Sequence, residues 1–159
     1  MPRRPLVGIR VVDLTIERGE LCGRFLSDLG AEVIRVEPLG GSPSRSMAPR
    51  DGDHSLFWTF RNAGKLGVEL DLDDEAGRAQ LDDLLAHSDV VVVSDEPGTQ
   101  DGTGLDAADL AARHPHLVVA SITAYGRTGP YAGRDVPDAV IEATGGMAFK
   151  AGTHEGGPI

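Results

Sequence analysis

The sequence predicts an α/β protein: a parallel sheet with helices on both faces. Short β-branched, apolar runs alternate along the chain with segments of helical periodicity. One run, Asp89–Ser94, holds four consecutive valines, the pattern of a strand buried on both faces. No internal repeat or low-complexity segment interrupts the alternation.

Gly8–Thr15 (GIRVVDLT) is β-branched and apolar and reads as the first buried strand. Leu21–Leu29 places Leu21, Phe25, Leu26 and Leu29 at helical spacing, with Gly30 as its C-terminal stop. Glu32–Glu37 is the second strand. Pro38–Asp53 reads as a long loop with prolines at 38, 43 and 49, and a loop of that length in a compact domain is usually functional or mobile. His54–Arg61 carries the only Trp and two of the four Phe, and reads as a short helix pinned by aromatics. Gly67–Leu72 is a third strand. Asp73–His87 follows as an amphipathic helix, with Asp71 or Asp73 as its N-cap. After the valine strand come a helix over Leu105–His114, a strand over Leu117–Thr123 and a helix over Asp138–Thr144 stopped by Gly145-Gly146. Ligands of such sheets gather at the carboxyl ends of the strands. Here those ends are Asp13–Thr15, Glu37-Pro38, Leu70–Leu72, Ser94–Glu96 and Ile122–Tyr125.

Composition narrows the function classes. The 159 residues carry a net charge of −10, with 40% hydrophobic and 25% charged residues, as expected of one folded, soluble domain. No apolar run is long enough to span a bilayer, and the N-terminus has two arginines but no apolar stretch of a signal peptide. The expected location is cytoplasmic, without a membrane partner. One cysteine, Cys22, can form neither an internal disulfide nor a cysteine zinc site, and reads as a small core residue. The charge is uneven: residues 1–65 are net +2 and residues 66–159 net −12. That balance disfavours nucleic acid, which needs a basic face, and makes the N-terminal half the better host for a small anion.

Phosphate-loop, nucleophile-elbow and dinucleotide-fingerprint motifs are absent. His114-Pro-His116 is the only close histidine pair and reads as a surface turn rather than a metal site; no metal is expected. Arg61-Asn-Ala-Gly-Lys65 offers two cations and a glycine, suited either to phosphates or a carboxylate, or to closing a helix with Lys65 in solvent. Tyr125–Tyr131 reads as a ligand lid or a plain turn, and Asp138 as an N-cap or a ligand-facing group.

In order, these segments resemble the N-terminal part of the family III CoA-transferases, which include formyl-CoA transferases, carnitine CoA-transferases and 2-methylacyl-CoA racemases. The resemblance rests on Leu6–Thr15 (LVGIRVVDLT), Leu26–Pro38 (LSDLGAEVIRVEP), Arg61-Asn62 with Lys65, and Val68–Leu72 (VELDL). It continues through Glu75–Arg78, Ser88–Val92, Pro115–Val118, Gly126–Ala132 (GRTGPYA), Asp138 and Gly145–Met147, covering nearly the whole chain. It implies a Rossmann-like domain that binds coenzyme A (CoA) or acyl-CoA, and an interlocked homodimer. It also implies CoA exchange between carboxylic acids through an acyl-aspartyl intermediate, nucleophilic catalysis by a carboxylate. Positional matching implies groove walls at Gly19, Leu70, Asp71, Leu72 and Ser94, a pantetheine end near Asp135 and Asp138, and further CoA contacts at Glu17, Arg18, Pro38 and Asp95.

The sequence departs from the family in three places. The family's catalytic aspartate lies in a Gly-Asp motif just beyond Ile159, so residues 1–159 are expected to form one incomplete CoA-binding domain without the small domain and C-terminal return segment. Such a piece is expected to expose an apolar surface or sheet edge, and so to associate with itself or with a complementing C-terminal chain. The racemase histidine position is Pro137, which disfavours racemase chemistry. The loop after the valine strand reads Ser94-Asp95-Glu96-Pro97-Gly98 where the family usually has Glu-Asn-Phe-x-Pro-Gly; Gly102 and Pro38 stand where arginines can occur. Asp95 and Glu96 repel an anionic cofactor unless Arg18, Lys65, Arg127 or Arg134 compensates. The expected function is therefore CoA transfer once the chain is completed, or else a catalytically silent CoA-binding or scaffold module, or an inactive fragment.

Overall fold

The structure, a computed structural model, describes residues 4–94 and 104–151. Its elements are β1 (Arg10–Leu14), α1 (Glu20–Asp28), β2 (Glu32–Glu37), a single 3-10 turn (Pro43–Ser46), β3 (Arg50–Asp51) and β4 (His54–Ser55). They continue with α2 (Leu56–Asn62), β5 (Leu66–Glu69), α3 (Glu75–Ala86), β6 (Val90–Val93), α4 (Ala107–Arg113), β7 (Val118–Ser121), α5 (Asp138–Thr144) and α6 (Met147–Lys150). The predicted strands and helices all form. The long loop is more ordered than expected, holding the 3-10 turn and the start of the antiparallel β3–β4 hairpin.

The main sheet runs β5-β2-β1-β6-β7, with every neighbour pair parallel. The first strand lies at the centre, and the chain winds first to one side and then to the other. Such an order leaves a crevice at the carboxyl ends of β1 and β6. Successive side chains of a strand point to opposite faces, and two apolar layers result. Val12, Val91 and Val93 join Leu81 and Leu85 of α3 and Leu110 of α4. Val11, Val33 and Val92 join Leu26 and Cys22 of α1 on the other face. Cys22 is thus the core residue expected; burial pushes its thiol pKa up, and the charge of Asp13 adds to the effect.

Gly30 ends α1 as predicted, at φ +105°, a conformation side chains other than glycine rarely adopt. Two cap assignments differ from expectation. Asp74, not Asp71 or Asp73, caps α3, accepting from the Ala76 N–H at 3.2 Å. Asp71 is occupied one turn earlier, accepting from the Asp73 N–H at 3.1 Å. Pro137 holds the cap position of α5, and Asp138 is its exposed first residue.

Four charges lie buried between β1, β2, α1 and the α2–β5 turn. Lys65 Nζ donates to Asp13 Oδ2 (2.7 Å), the Glu20 carbonyl (2.7 Å) and Asn62 Oδ1 (2.8 Å), so all three of its protons are used. Arg35, the register partner of Asp13, donates to Glu20 Oε1 (2.8 Å), the Thr15 carbonyl (2.7 Å) and Asp13 Oδ1 (3.3 Å). Burial pushes the Lys65 ammonium pKa down, and the charge and hydrogen bond of Asp13 work against it. Gly23 makes this approach possible: a Cβ there would sit 2.3 Å from Asp13 Oδ2 and 3.0 Å from Lys65 Cε.

Lys65→Met leaves Asp13 Oδ2 without its cation, with only the longer contact of Arg35 on Oδ1 remaining. Removing one partner of a buried pair costs about 3–5 kcal/mol, so the urea midpoint of Lys65→Met should fall steeply. A loss under about 1 kcal/mol, typical of an exposed pair, would refute the structural weight given to this contact.

Candidate functional site

A cleft of about 490 Å3 opens at the carboxyl ends of β1, β2 and β5. Thr15 and Ile16 line it from β1, Glu37 and Pro38 from β2, Leu70–Asp73 after β5, and Leu105 ahead of α4. The Leu70 N–H donates to the Glu37 carbonyl at 2.9 Å, extending the β2–β5 ladder to the cleft's edge. Helix α3 seats the next residues: a Cβ on Gly77 would lie 1.8 Å from the Asp71 carbonyl oxygen, and Arg78 Nε donates to the Leu72 carbonyl at 2.6 Å.

The sequence-predicted site residues fall into separate places. Pro38, Leu70, Asp71 and Leu72 line the cleft together. Gly19 and Ser94 are buried beside it. Ser94 Oγ accepts from the Ile16 N–H at 2.7 Å, and a Cβ on Gly19 would meet Thr15 Cβ at 2.7 Å and Ser94 Cβ at 2.8 Å. Together they fix the β1–α1 turn rather than line the cleft. Arg18 gathers a different set, donating to the Val136 carbonyl at 2.9 Å and pairing with Asp135 at 3.7 Å and Asp138 at 3.5 Å. Glu17 is exposed, and its carbonyl accepts from Arg61 at 2.6 Å. Asp95, with Glu96 and Gly102, lies outside the described residues.

The cations weighed as anion partners are engaged elsewhere. Lys65 is sealed against Asp13, with 1% of its side chain exposed. Arg61 lies over the Phe57 ring at 4.0 Å, so the Arg61–Lys65 segment presents no phosphate cradle to the cleft. Arg127 pairs with Asp106, and Arg134 lies over Tyr131 at 4.8 Å. Asp106 also accepts from the Ala108 N–H, and that bond and Arg127 hold its carboxyl below its usual range against the effect of burial. Tyr125 and Tyr131 face each other at 5.5 Å, with the Tyr125 hydroxyl 3.3 Å from Thr144 Oγ1. His114 and His116 form an edge-to-face pair at 6.0 Å, with His114 Nε2 3.3 Å from Asp82.

The sequence reading missed one wall of the cleft, formed by Arg35, Leu39, Ser42 and Pro43. The available signal was Arg35 itself, a charge inside an otherwise apolar strand. Glu37 anchors this wall. Burial opposes ionisation of its carboxyl. Two hydrogen bonds from Arg45, one from the Ser42 N–H and the charges of Arg45 and Arg35 outweigh burial, and its pKa falls below the ordinary 4.5.

A carboxylate whose folded pKa is depressed adds stability above its unfolded pKa and loses it as pH falls through the folded value. The stability advantage of the native chain over Glu37→Gln should therefore be full above about pH 4.5 and shrink as acid is added below it. Urea unfolding at stepped pH measures this; an advantage that is constant with pH would contradict it.

Comparison with known proteins bears on this architecture. A probable fatty acyl-CoA transferase of Mycobacterium tuberculosis is 40% identical over 161 residues, which cover 99% of this chain and 41% of that protein. Acetyl-CoA:oxalate CoA-transferase of Acetobacter aceti is 36% identical over 159 residues, 99% of this chain and 41% of that protein. The crystal structure of a CAIB/BAIF family protein from Brucella suis superposes with a TM-score of 0.87 at 36% identity, over 98% of this chain and 43% of that one. The chain spans about two-fifths of the length of the curated relatives it matches. With residues 6–159 matched to the family profile, and the sheet superposing on a solved relative, the chain belongs to CoA-transferase family III.

Proposed function

We propose that residues 1–159 form the CoA-binding part of a family III CoA-transferase, an incomplete Rossmann-like domain that the family's small domain and return segment would complete. The cleft at the ends of β1, β2 and β5 receives the nucleotide end of CoA. The observation that carries this is the convergence of Pro38, Leu70, Asp71 and Leu72, drawn from two different strands, on one cleft at the carboxyl edge of the sheet. Leu72 supplies an apolar wall for a base, and Asp71 an acceptor for amino or hydroxyl donors. Gly19 and Ser94 hold the β1–α1 turn, and Glu17 and, on sequence matching alone, Asp95 are CoA contacts. Arg18 holds Asp135 and Asp138 beside the turn, where the pantetheine arm leaves.

The completed protein transfers CoA between carboxylic acids. An aspartate outside residues 1–159 attacks the thioester carbonyl and expels the CoA thiolate, leaving an acyl-aspartyl anhydride. The share of this chain is to bind and orient CoA. A cytoplasmic setting goes with this reading; no described helix is long and apolar enough to cross a membrane.

Calorimetric titration of the 159-residue chain with CoA should give saturable binding, and Leu72→Trp, which fills the cleft, should weaken it at least tenfold, or about 1.4 kcal/mol. No binding at millimolar CoA would end the proposal. Acyl transfer by the chain alone would refute the assignment of chemistry to an aspartate outside it. Among the described residues the outer strands β5 and β7 each have one neighbour, with Leu66 55% and Val118 63% exposed. Light scattering should accordingly report self-association, and a monomer at high concentration would count against a shared interface.

A further inference from the structure

The cleft wall over residues 38–46 is the part of the site least supported by the sheet. Among the described residues it has no strand partner, only the Gly40 N–H donating to the Glu69 carboxylate of β5 at 3.1 Å, and Gly40 and Gly41 take φ of +85° and +88°. Segments of this kind open easily unless side chains hold them. Here one carboxylate fastens both ends. Glu37, at the last position of β2 with 2% of its side chain exposed, accepts the Ser42 N–H on Oε2 at 2.8 Å. The same carboxylate takes Arg45 in a two-pronged bond, Nε to Oε2 and Nη2 to Oε1, both at 2.7 Å. Arg45 in turn lies over the Trp58 ring at 3.8 Å, tying the wall to α2. It also covers Gly41, where a Cβ would come within 2.6 Å of Arg45 Cδ. From below, Arg35 donates to Ser42 Oγ at 3.1 Å, and Ser44 Oγ donates to Glu20 Oε1 at 2.6 Å.

Resting on the reading of this cleft as the CoA site, we propose that Glu37 and Arg45 are positioning residues for CoA: their bidentate pair, seated on Trp58, holds the 38–46 wall in the shape that accepts the nucleotide. Arg45 is not among the residues lining the cleft, so its effect on affinity runs through the wall. A preformed wall spares the ligand the entropy of ordering it. Arginine is required because a lysine cannot span both carboxylate oxygens and stack on the indole together.

The test compares the unchanged 159-residue chain with Arg45→Met, Arg45→Lys and, as a control, Arg10→Met, which removes the exposed pair to Glu32 at the amino ends of β1 and β2, the opposite edge of the sheet from the cleft. CoA titration is run beside urea unfolding and amide hydrogen exchange over residues 38–46. Arg45→Met should weaken CoA binding about tenfold or more and speed exchange of the Ser42 amide, with only a modest fall in urea midpoint, because the partner that Glu37 loses is itself half exposed. Arg45→Lys should recover only part of the affinity, and Arg10→Met should bind like the unchanged chain. Unaltered CoA affinity in Arg45→Met, in a chain whose binding Leu72→Trp does weaken at least tenfold, overturns the positioning role and leaves the cleft assignment standing. A urea midpoint that collapses in both Arg45 variants makes the pair a purely structural brace and also overturns it. Absence of CoA binding by the unchanged chain overturns both.

Discussion

Asp13 and Lys65 meet at 2.7 Å with essentially no water around either, and much of the fold follows from making that contact tolerable. Withdrawing an ion from water costs several kcal/mol, recovered only with good geometry and further hydrogen bonds, and in this cluster Arg35 Nε is buried without such a bond. The partners come from far apart in the chain. Thr15 and Arg35 complete Asp13, while Asn62 and the Glu20 carbonyl complete Lys65. Two acids and two bases then cancel in a volume where no net charge could be held. The same bonds fix where β1 ends, where α1 begins and how the α2–β5 turn closes. Since the cleft is bounded by the ends of these strands, its shape is inherited from the charge cluster below it.

That arrangement changes the meaning of the uneven charge. The N-terminal half is net +2, which on paper favours an anion. In the fold its cations are largely spent internally: Lys65 and Arg35 in the cluster, Arg45 on Glu37, Arg10 on Glu32 and Arg24 on Asp28. With Asp71 and Asp73 exposed at the rim, the cleft offers a ligand shape, apolar contact and backbone rather than a basic field.

The sequence was a good guide wherever the determinant was local. Apolar runs announced the five sheet strands, the valine quartet the most buried of them, and Gly30 a helix end. The carboxyl ends of those strands located the cleft, and Pro38 and Leu70–Leu72 do line it. Determinants set by distant contacts escaped. The choice among the aspartates at 71, 73 and 74 depends on how Gly77 settles on the Asp71 carbonyl, which no propensity encodes. The two-residue strands of the β3–β4 hairpin are too short to show alternation. Lys65 reads as either a ligand-binding or a solvated cation, and its place against Asp13 depends on the room left by Gly23 of α1. The wall built on Glu37 and Arg45 likewise depends on a pairing inside a proline-rich loop.

The strand order has a consequence for how the chain acquires this structure. β1 is the first of these strands to be synthesised, but its second flank waits for β6. Arg10 meets Glu32, 22 residues on, but it reaches its partner at Asp89 only across 79 residues. The longer loop costs about 1 kcal/mol more to close, and on a ribosome it cannot close until β6 has left the exit tunnel. In that interval β1, β2 and β5 can already form a three-stranded half-sheet, with α1 and the charge cluster in place. One flank of β1, at Val11 and Val12, stays open. The exposed backbone of that flank is the likeness of a sheet edge, so the valine quartet of β6 serves in folding as the clasp that shuts the most aggregation-prone line of the nascent chain.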